Sequence, residues 1–209
     1  MKIAREGYPL ILTAAALAVL ALVLGWTFIG VMLAILAFAI TGFFRDPVRI
    51  IPIGDNLIVS PADGKVVSIG PAPDAELFQG AKTRVSIFLS PLDVHINRIP
   101  VTGKISEVRY SPGKFLAAYK AEASERNEQN ALKVVDSSGR AFGVVQIAGV
   151  LARRIVCWVK RGDNLSQGDR FGLIMFGSRT DTYLPEGCSV EVVEGQRVKG
   201  GETILGRFL

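Results

Sequence analysis

Asn164-Leu-Ser-Gln-Gly-Asp-Arg-Phe-Gly172 returns in outline as Arg197-Val-Lys-Gly-Gly-Glu-Thr-Ile-Leu-Gly206. Each reads apolar, two residues, glycine, acid, one residue, apolar, which is the pattern of a Gly-Asp or Gly-Glu turn joining two short strands. Outward from these turns the chain keeps the same grammar. Asn56–Ser60, Gly64–Gly70, Arg84–Ser90, Gly103–Tyr110, Ala131–Gly139, Ala141–Gly149 and Arg154–Val159 are short apolar runs bounded by Gly, Pro, Asp or Asn. The spacing predicts a mainly β domain over residues 49–209.

Paired Gly-acid turns of this kind resemble the flattened barrel-sandwich of biotinyl and lipoyl carrier domains, a resemblance that concerns fold and not activity. One soluble segment has a helical composition. Lys114 to Asn130 follows Ser-Pro-Gly, is rich in Ala, Glu and Lys, and reads as one short amphipathic helix or as a flap over a site.

Residues 1–48 read differently. No charged residue occurs from Gly7 to Phe44, a stretch too long for one straight crossing of a hydrocarbon core about 30 Å thick. Gly25-Trp26 is the natural break, giving a transmembrane helical hairpin with Tyr8 and Phe43-Phe44 at the near interface. Lys2 and Arg5 before it and Arg45 and Arg49 after it place both ends, and the following domain, on the cytoplasmic face of the cell membrane. A cleaved signal peptide would have a shorter apolar region and a small-residue cleavage site.

The net charge of +5 is spread along the 209 residues rather than gathered into basic blocks, which points away from nucleic acid and toward anionic headgroups. Cys157 and Cys188 lack metal-ligand spacing, and the chain has one histidine, so no metal site is expected.

Three positions invite chemistry. Ser178 follows Gly177 at the end of an apolar run, but Phe176 and Thr180 stand where a hydrolase elbow needs glycine. His95, in Ser90-Pro-Leu-Asp-Val-His-Ile-Asn-Arg98, sits among polar residues and is the only imidazole available for proton transfer near neutral pH. Asp63, in Ser60-Pro-Ala-Asp-Gly-Lys-Val66, is either a turn residue or a carboxylate that orients an imidazole.

Taken together with Phe44-Arg45-Asp46-Pro47, Pro112-Gly-Lys-Phe115, Glu125-Arg-Asn-Glu-Gln-Asn130 and Arg170-Phe-Gly-Leu-Ile-Met-Phe-Gly-Ser178, these blocks resemble the phosphatidylserine decarboxylase proenzymes, in particular their short archaeal-type branch, which includes enzymes acting on archaetidylserine. The resemblance implies that Ser178 attacks the Gly177 carbonyl, that the chain cuts itself into a β chain 1–177 and an α chain 178–209 that remain associated, and that Ser178 becomes a covalent pyruvoyl cofactor. It further implies Schiff-base decarboxylation of a membrane phospholipid to the ethanolamine lipid. Asp63 and a histidine would relay the Ser178 proton. The best-known bacterial members carry a second histidine where this chain has Arg98, so either His95 serves both maturation and turnover, the reading we favour, or Asp63 acts more directly with Arg98 nearby. Lys114, Arg126, Arg153 and Arg154 are candidate phosphate contacts, and a homo-oligomer is compatible with the sequence.

Two other classes compete. A membrane-anchored barrel-sandwich adaptor would remain uncut, and no Met-Lys-Met or Asp-Lys-Ala carrier motif is present. A serine hydrolase using Ser178, His95 and Asp63 would also remain uncut but would react with a fluorophosphonate.

Overall fold

The computed structural model describes residues 2–54, 56–73, 76–114, 116, 126–149, 154–175 and 178–209. The chain divides into two compact units, Met1–Val48 and Arg49–Leu209.

In the first unit, α1 (Tyr8–Val23) and α2 (Thr27–Phe43) pack against each other, joined at the Gly25-Trp26 break. Small residues allow the helices to approach: Ala14, Ala18 and Ala21 of α1 and Gly30 and Ala37 of α2 are buried. The large apolar side chains point outward, with Leu12, Val19, Val23, Phe28 and Phe38 all mostly exposed. That inversion of the usual inside-out pattern is what a helix pair surrounded by lipid requires. The stretch Arg5–Val23 is long and apolar enough to cross a membrane by length and composition. Two short strands, β1 (Lys2–Ile3) and β2 (Arg45–Asp46), pair antiparallel and tie the two ends of the hairpin together.

The second unit is mainly β. Its strands are β3 (Leu57–Val59), β4 (Gly64–Pro71), β5 (Ala81–Leu89), β6 (Ile96–Arg98), β7 (Gly103–Ser111), β8 (Gln129–Val135), β9 (Ala141–Ile147), β10 (Ile155–Cys157), β11 (Asn164–Leu165), β12 (Arg170–Ile174), β13 (Ser178–Pro185), β14 (Cys188–Val190), β15 (Arg197–Val198) and β16 (Ile204–Phe208). Eight of them form a curled sheet in the order β11-β7-β8-β9-β13-β5-β4-β15, while β10-β12-β6 and β14-β16-β3 form two small sheets. All these pairings are antiparallel.

The principal core lies on one face of the curled sheet. Val85, Ile87, Leu89, Leu132, Val144 and Leu184 project into it and meet Ile58, Phe171, Leu205 and Phe208 from the small sheets. The other face is covered in part: Leu77 and Phe78, in a 3-10 turn at Glu76–Phe78, pack on Ala131, Val145, Ile147 and Tyr183. A strand covered on both faces loses the alternation of a half-solvated strand, and β13 is buried from Ser178 to Leu184.

The two Gly-acid turns have the same construction. Gly168 and Gly201 have φ of 82° and 79°, a left-handed geometry suited to glycine. Their amides donate to Ile99 O and Ser60 O, each at 2.8 Å. A β-carbon on either would run into Ile51, which packs between both turns. The expected helix at Lys114–Asn130 falls largely outside the described residues, and its described end is not helical throughout: Gln129 and Asn130 already belong to β8.

Candidate active site

Ser178 is the first residue of β13, directly opposite Leu89, the last residue of β5. It is 0% exposed, and its Oγ has no hydrogen-bond partner among the described residues. A hydroxyl normally finds a partner when buried, at a cost of about 1–3 kcal/mol if it does not, so this one is held in place by its strand. Gly177 and Phe176 lie outside the described residues.

From Leu89 the chain turns through Ser90–Asp93 to His95. The turn is fastened by the Asp93 carboxylate, whose Oδ2 accepts from Ser90 N at 2.8 Å and Ser90 Oγ at 2.7 Å, while Oδ1 accepts from Arg197. His95 is 2% exposed, and its Nδ1 lies 2.9 Å from Asp93 O. A carbonyl oxygen can only accept, so Nδ1 carries the hydrogen, and in the neutral ring Nε2 then carries the lone pair that a general base needs. His95 O in turn accepts from Ile174 N at 3.4 Å, at the end of β12, which three residues in sequence, Met175 to Gly177, separate from Ser178. His95 thus follows by a short turn from Leu89, the ladder partner of Ser178, and is tied through its backbone oxygen to the end of β12.

Asp63 stands in the turn before β4. Its two oxygens accept from Arg49 Nη2 at 2.9 and 2.8 Å, and Oδ1 also accepts from Gly200 N at 2.8 Å. Arg49 also lies 3.6 Å from Glu202. The carboxylate faces a guanidinium and the second Gly-acid turn, while the Nδ1 side of the imidazole is oriented by a backbone carbonyl. Arg98 is buried and donates from Nη1 to Gly168 O at 2.8 Å, and its amide donates to Pro61 O at 2.8 Å, so it joins the Asp63 loop to the first Gly-acid turn. Lys114, Arg126 and Arg154 are exposed, and Arg153 lies outside the described residues.

Sequence reasoning missed a buried amide chain. Asn130 Nδ2 donates to Gln146 Oε1 at 3.1 Å, and Gln146 Nε2 donates to Asn97 Oδ1 at 2.9 Å. All three are at most 3% exposed. Gln146 pairs across the ladder with Thr180, two residues from Ser178 on the same face of β13. Space for it exists because position 172 is glycine: a β-carbon there would lie 2.9 Å from Gln146 Nε2 and 2.2 Å from Val156 O. The available signal was one polar residue inside the apolar run Gly143–Ala148. On the opposite face of β13, Arg179 and Asp181 form a buried ion pair, with Arg179 Nε 2.6 Å from Asp181 Oδ1 and Nη2 3.1 Å from Ser86 Oγ.

A cavity of about 320 Å³ lined by Asn56, Thr102, Asp136, Arg140, Gln167 and Phe208, among others, includes none of Ser178, His95 or Asp63. Asp136 there is already paired with Arg140, and Gln167 with the Leu57 and Pro100 carbonyls.

In an antiparallel β unit of this kind, with Ser178 buried at the start of a central strand and His95 buried in a turn after the neighbouring strand, the polar groups that invite chemistry lie inside the fold rather than in a surface cleft. The sequence profile of phosphatidylserine decarboxylase matches residues 36–206. The chain is also 49% identical over 206 residues to the phosphatidylserine decarboxylase proenzyme of Symbiobacterium thermophilum, covering 99% of this chain and 95% of that protein. The chain belongs to the phosphatidylserine decarboxylase family. It is accordingly a decarboxylase, a lyase of phospholipid biosynthesis made as a zymogen, which sets aside the adaptor reading.

Proposed function

We propose that this chain matures by cutting its own Gly177-Ser178 bond, that Ser178 becomes a pyruvoyl group, and that the product decarboxylates phosphatidylserine, or archaetidylserine with the same phosphoserine head, to the ethanolamine lipid. The observation that carries this reading is the fully buried Ser178 hydroxyl without a described partner. Its conversion into a carbonyl sacrifices no described hydrogen bond, so the residues present fit the group.

In maturation, His95 Nε2 takes the Ser178 proton as Oγ attacks the adjoining carbonyl. Asp63, held by Arg49, supplies negative charge in the loop that Arg98 joins to the core. In turnover, the pyruvoyl group supplies an electron sink for loss of carbon dioxide. His95 then delivers a proton to the substrate α-carbon, and the buried setting excludes water from that step. The two chains stay together because β13 is laddered on both sides.

The apolar hairpin serves as a membrane anchor with both ends on the cytoplasmic face, keeping the enzyme where its lipid substrate and product reside. The curled sheet with its paired Gly-acid turns is a barrel-sandwich of the biotinyl and lipoyl type, and residues 49–209 are the catalytic domain.

Denaturing mass spectrometry of the 22.5 kDa chain tests the reading. Fragments of roughly 19 and 3.5 kDa are expected, the smaller with an N-terminal ketone in place of its amine, and Ser178→Ala is expected to stay whole. A folded, lipid-embedded wild type that stays whole overturns it.

A further inference from the structure

One rim of the β unit combines exposed apolar and exposed basic side chains. Residues 49–53 lie along it with their two sides sorted. Arg49 turns in to Asp63, its side chain 7% exposed, and Ile51 packs between the two Gly-acid turns. Ile50 is 85% exposed and Ile53 fully so. Ile50 N donates to Glu202 Oε1 at 3.3 Å, and Glu202 lies 4.0 Å from Lys199 Nζ. Two positions before Lys199, Arg197 of β15 stands opposite Lys65 in the ladder and donates to Asp93. Next to Asp93, Leu92 in the Ser90–Asp93 turn is 84% exposed. These contacts trace a single rim from Ile53 to Leu92. The Arg197 and Lys199 side chains are each 69% exposed, and Lys65 is exposed too. The carboxylates that pair along the rim, Asp63, Asp93 and Glu202, are mostly covered, the most open being Glu202 at 28%; Glu194, on the turn before β15, accepts from Ile69 N. What the rim shows to solvent is apolar and positive.

We propose that this rim docks on an anionic lipid leaflet, with Ile50, Ile53 and Leu92 entering the headgroup boundary while Lys65, Arg197 and Lys199 meet lipid phosphates. This rests on the membrane-anchor reading above. Large apolar side chains interleaved with long basic ones are the composition of an interfacial surface, since Lys and Arg lay their stems along apolar material and keep their heads at the phosphates. A cationic rim whose acids are covered is complementary to anionic headgroups. Chain length favours the same occupant. Ile50 follows Phe43, the last residue of α2, by seven positions, and that much chain spans at most about 25 Å, so the rim stays within reach of the leaflet at which the hairpin ends. The turn that carries Leu92 outward also leads inward to His95, which is 2% exposed. Docking therefore brings the loops of His95 and Asp63 to the surface from which a lipid headgroup enters.

The experiment uses the full-length chain in phosphatidylcholine vesicles with or without added phosphatidylglycerol, an anionic lipid that carries no serine. A nitroxide is attached through Leu92→Cys or Ile53→Cys in a Cys157→Ser, Cys188→Ser background. The reference label is at Ser138→Cys, in the exposed turn between β8 and β9, at the end of that ladder away from Gln129 and Ile147. Collisions of each label with oxygen, which concentrates in lipid, are compared with collisions with a water-soluble nickel chelate. With phosphatidylglycerol present, oxygen is expected to dominate at the Leu92 and Ile53 labels and the chelate at the Ser138 label. Lys65→Glu and Lys199→Glu are each expected to lower the docked-to-undocked ratio by at least about fivefold, the factor for one charge near an anionic surface, and omission of phosphatidylglycerol is expected to lower it as well. Two labelled positions keep the test decisive if one label disturbs its own loop. Labels that behave like the reference overturn the proposal, and so does docking that is unchanged by the charge reversals or by the loss of phosphatidylglycerol. Labels shielded from both reagents overturn it too, since a protein surface, such as a second copy of this chain, then covers the rim. A chain that does not float with the vesicles overturns the anchor reading instead, and this proposal with it.

Discussion

Both oxygens of Asp63 face a single guanidinium, and that guanidinium comes from Arg49, the first residue of the β unit. Both bonds come from one nitrogen, Nη2, and charge-assisted donation to both oxygens holds the carboxylate in place. Arg49→Met is therefore expected to slow self-cleavage by about tenfold, and Arg49→Lys to recover part of it, since one ammonium nitrogen can also donate to both oxygens but loses the Arg49–Glu202 contact; a time course on gels reads both, and an unchanged Arg49→Met rate would detach Asp63 from maturation. The sequence made Ser178, His95 and Asp63 visible because each is a polar residue at the edge of an apolar run. It did not show what holds them. The Nδ1 partner of His95 is a backbone carbonyl, which every residue has and no motif records, and the partners of Asp63 lie 14 and 137 positions away in the chain. Asn97 was in plain view inside the His95 block, yet its partner Gln146 lies 49 positions on.

Along β13 the two faces do different work, with Ser178, Thr180 and Thr182 turned to the principal core and Arg179, Asp181 and Tyr183 to the other side. Removing one member of a buried ion pair strands the other charge, and Asp181→Ala is expected to destabilise the fold by about 3–5 kcal/mol, measurable by urea unfolding of an uncut Ser178→Ala background. Tyr183 stacks on Phe78 at 4.4 Å. Burial pushes its phenol above the ordinary value of 10.0, Asp181 adds to the rise, and Arg84 and Arg179 oppose it. The unfolded chain then loses this proton first as pH rises, so unfolding becomes easier above about pH 10. Tyr183→Phe removes that part of the slope, as urea titrations on either side of pH 10 would show. On β12, Gly172→Ala forces a β-carbon against Val156 O and Gln146, and it is expected both to lower the melting temperature and to slow cutting. Element content was readable because turns and apolar runs are local. The placing of β13 between β5 and β9 was not, since those ladders join segments far apart in sequence.

At the scale of the whole chain, the hairpin was legible from its missing charges and its Gly-Trp break, because a bilayer imposes composition directly on sequence. The full-length protein is expected to remain with membranes after washing with alkaline carbonate, and release into the supernatant would argue against insertion. The helix expected over Lys114–Asn130 lies largely outside the described residues, and Gln129 and Asn130 at its described end belong to β8. The ladder flanking β13 on both sides has one more consequence. Before the cut, unfolding and refolding concern a single connected molecule; after it, residues 178–209 would have to find residues 1–177 again by collision and thread between two strands already inclined to pair with each other. Recovery of the mature enzyme from denaturant should therefore depend on dilution while that of the Ser178→Ala precursor does not, and heat would retire the working enzyme for good at temperatures its uncut parent survives.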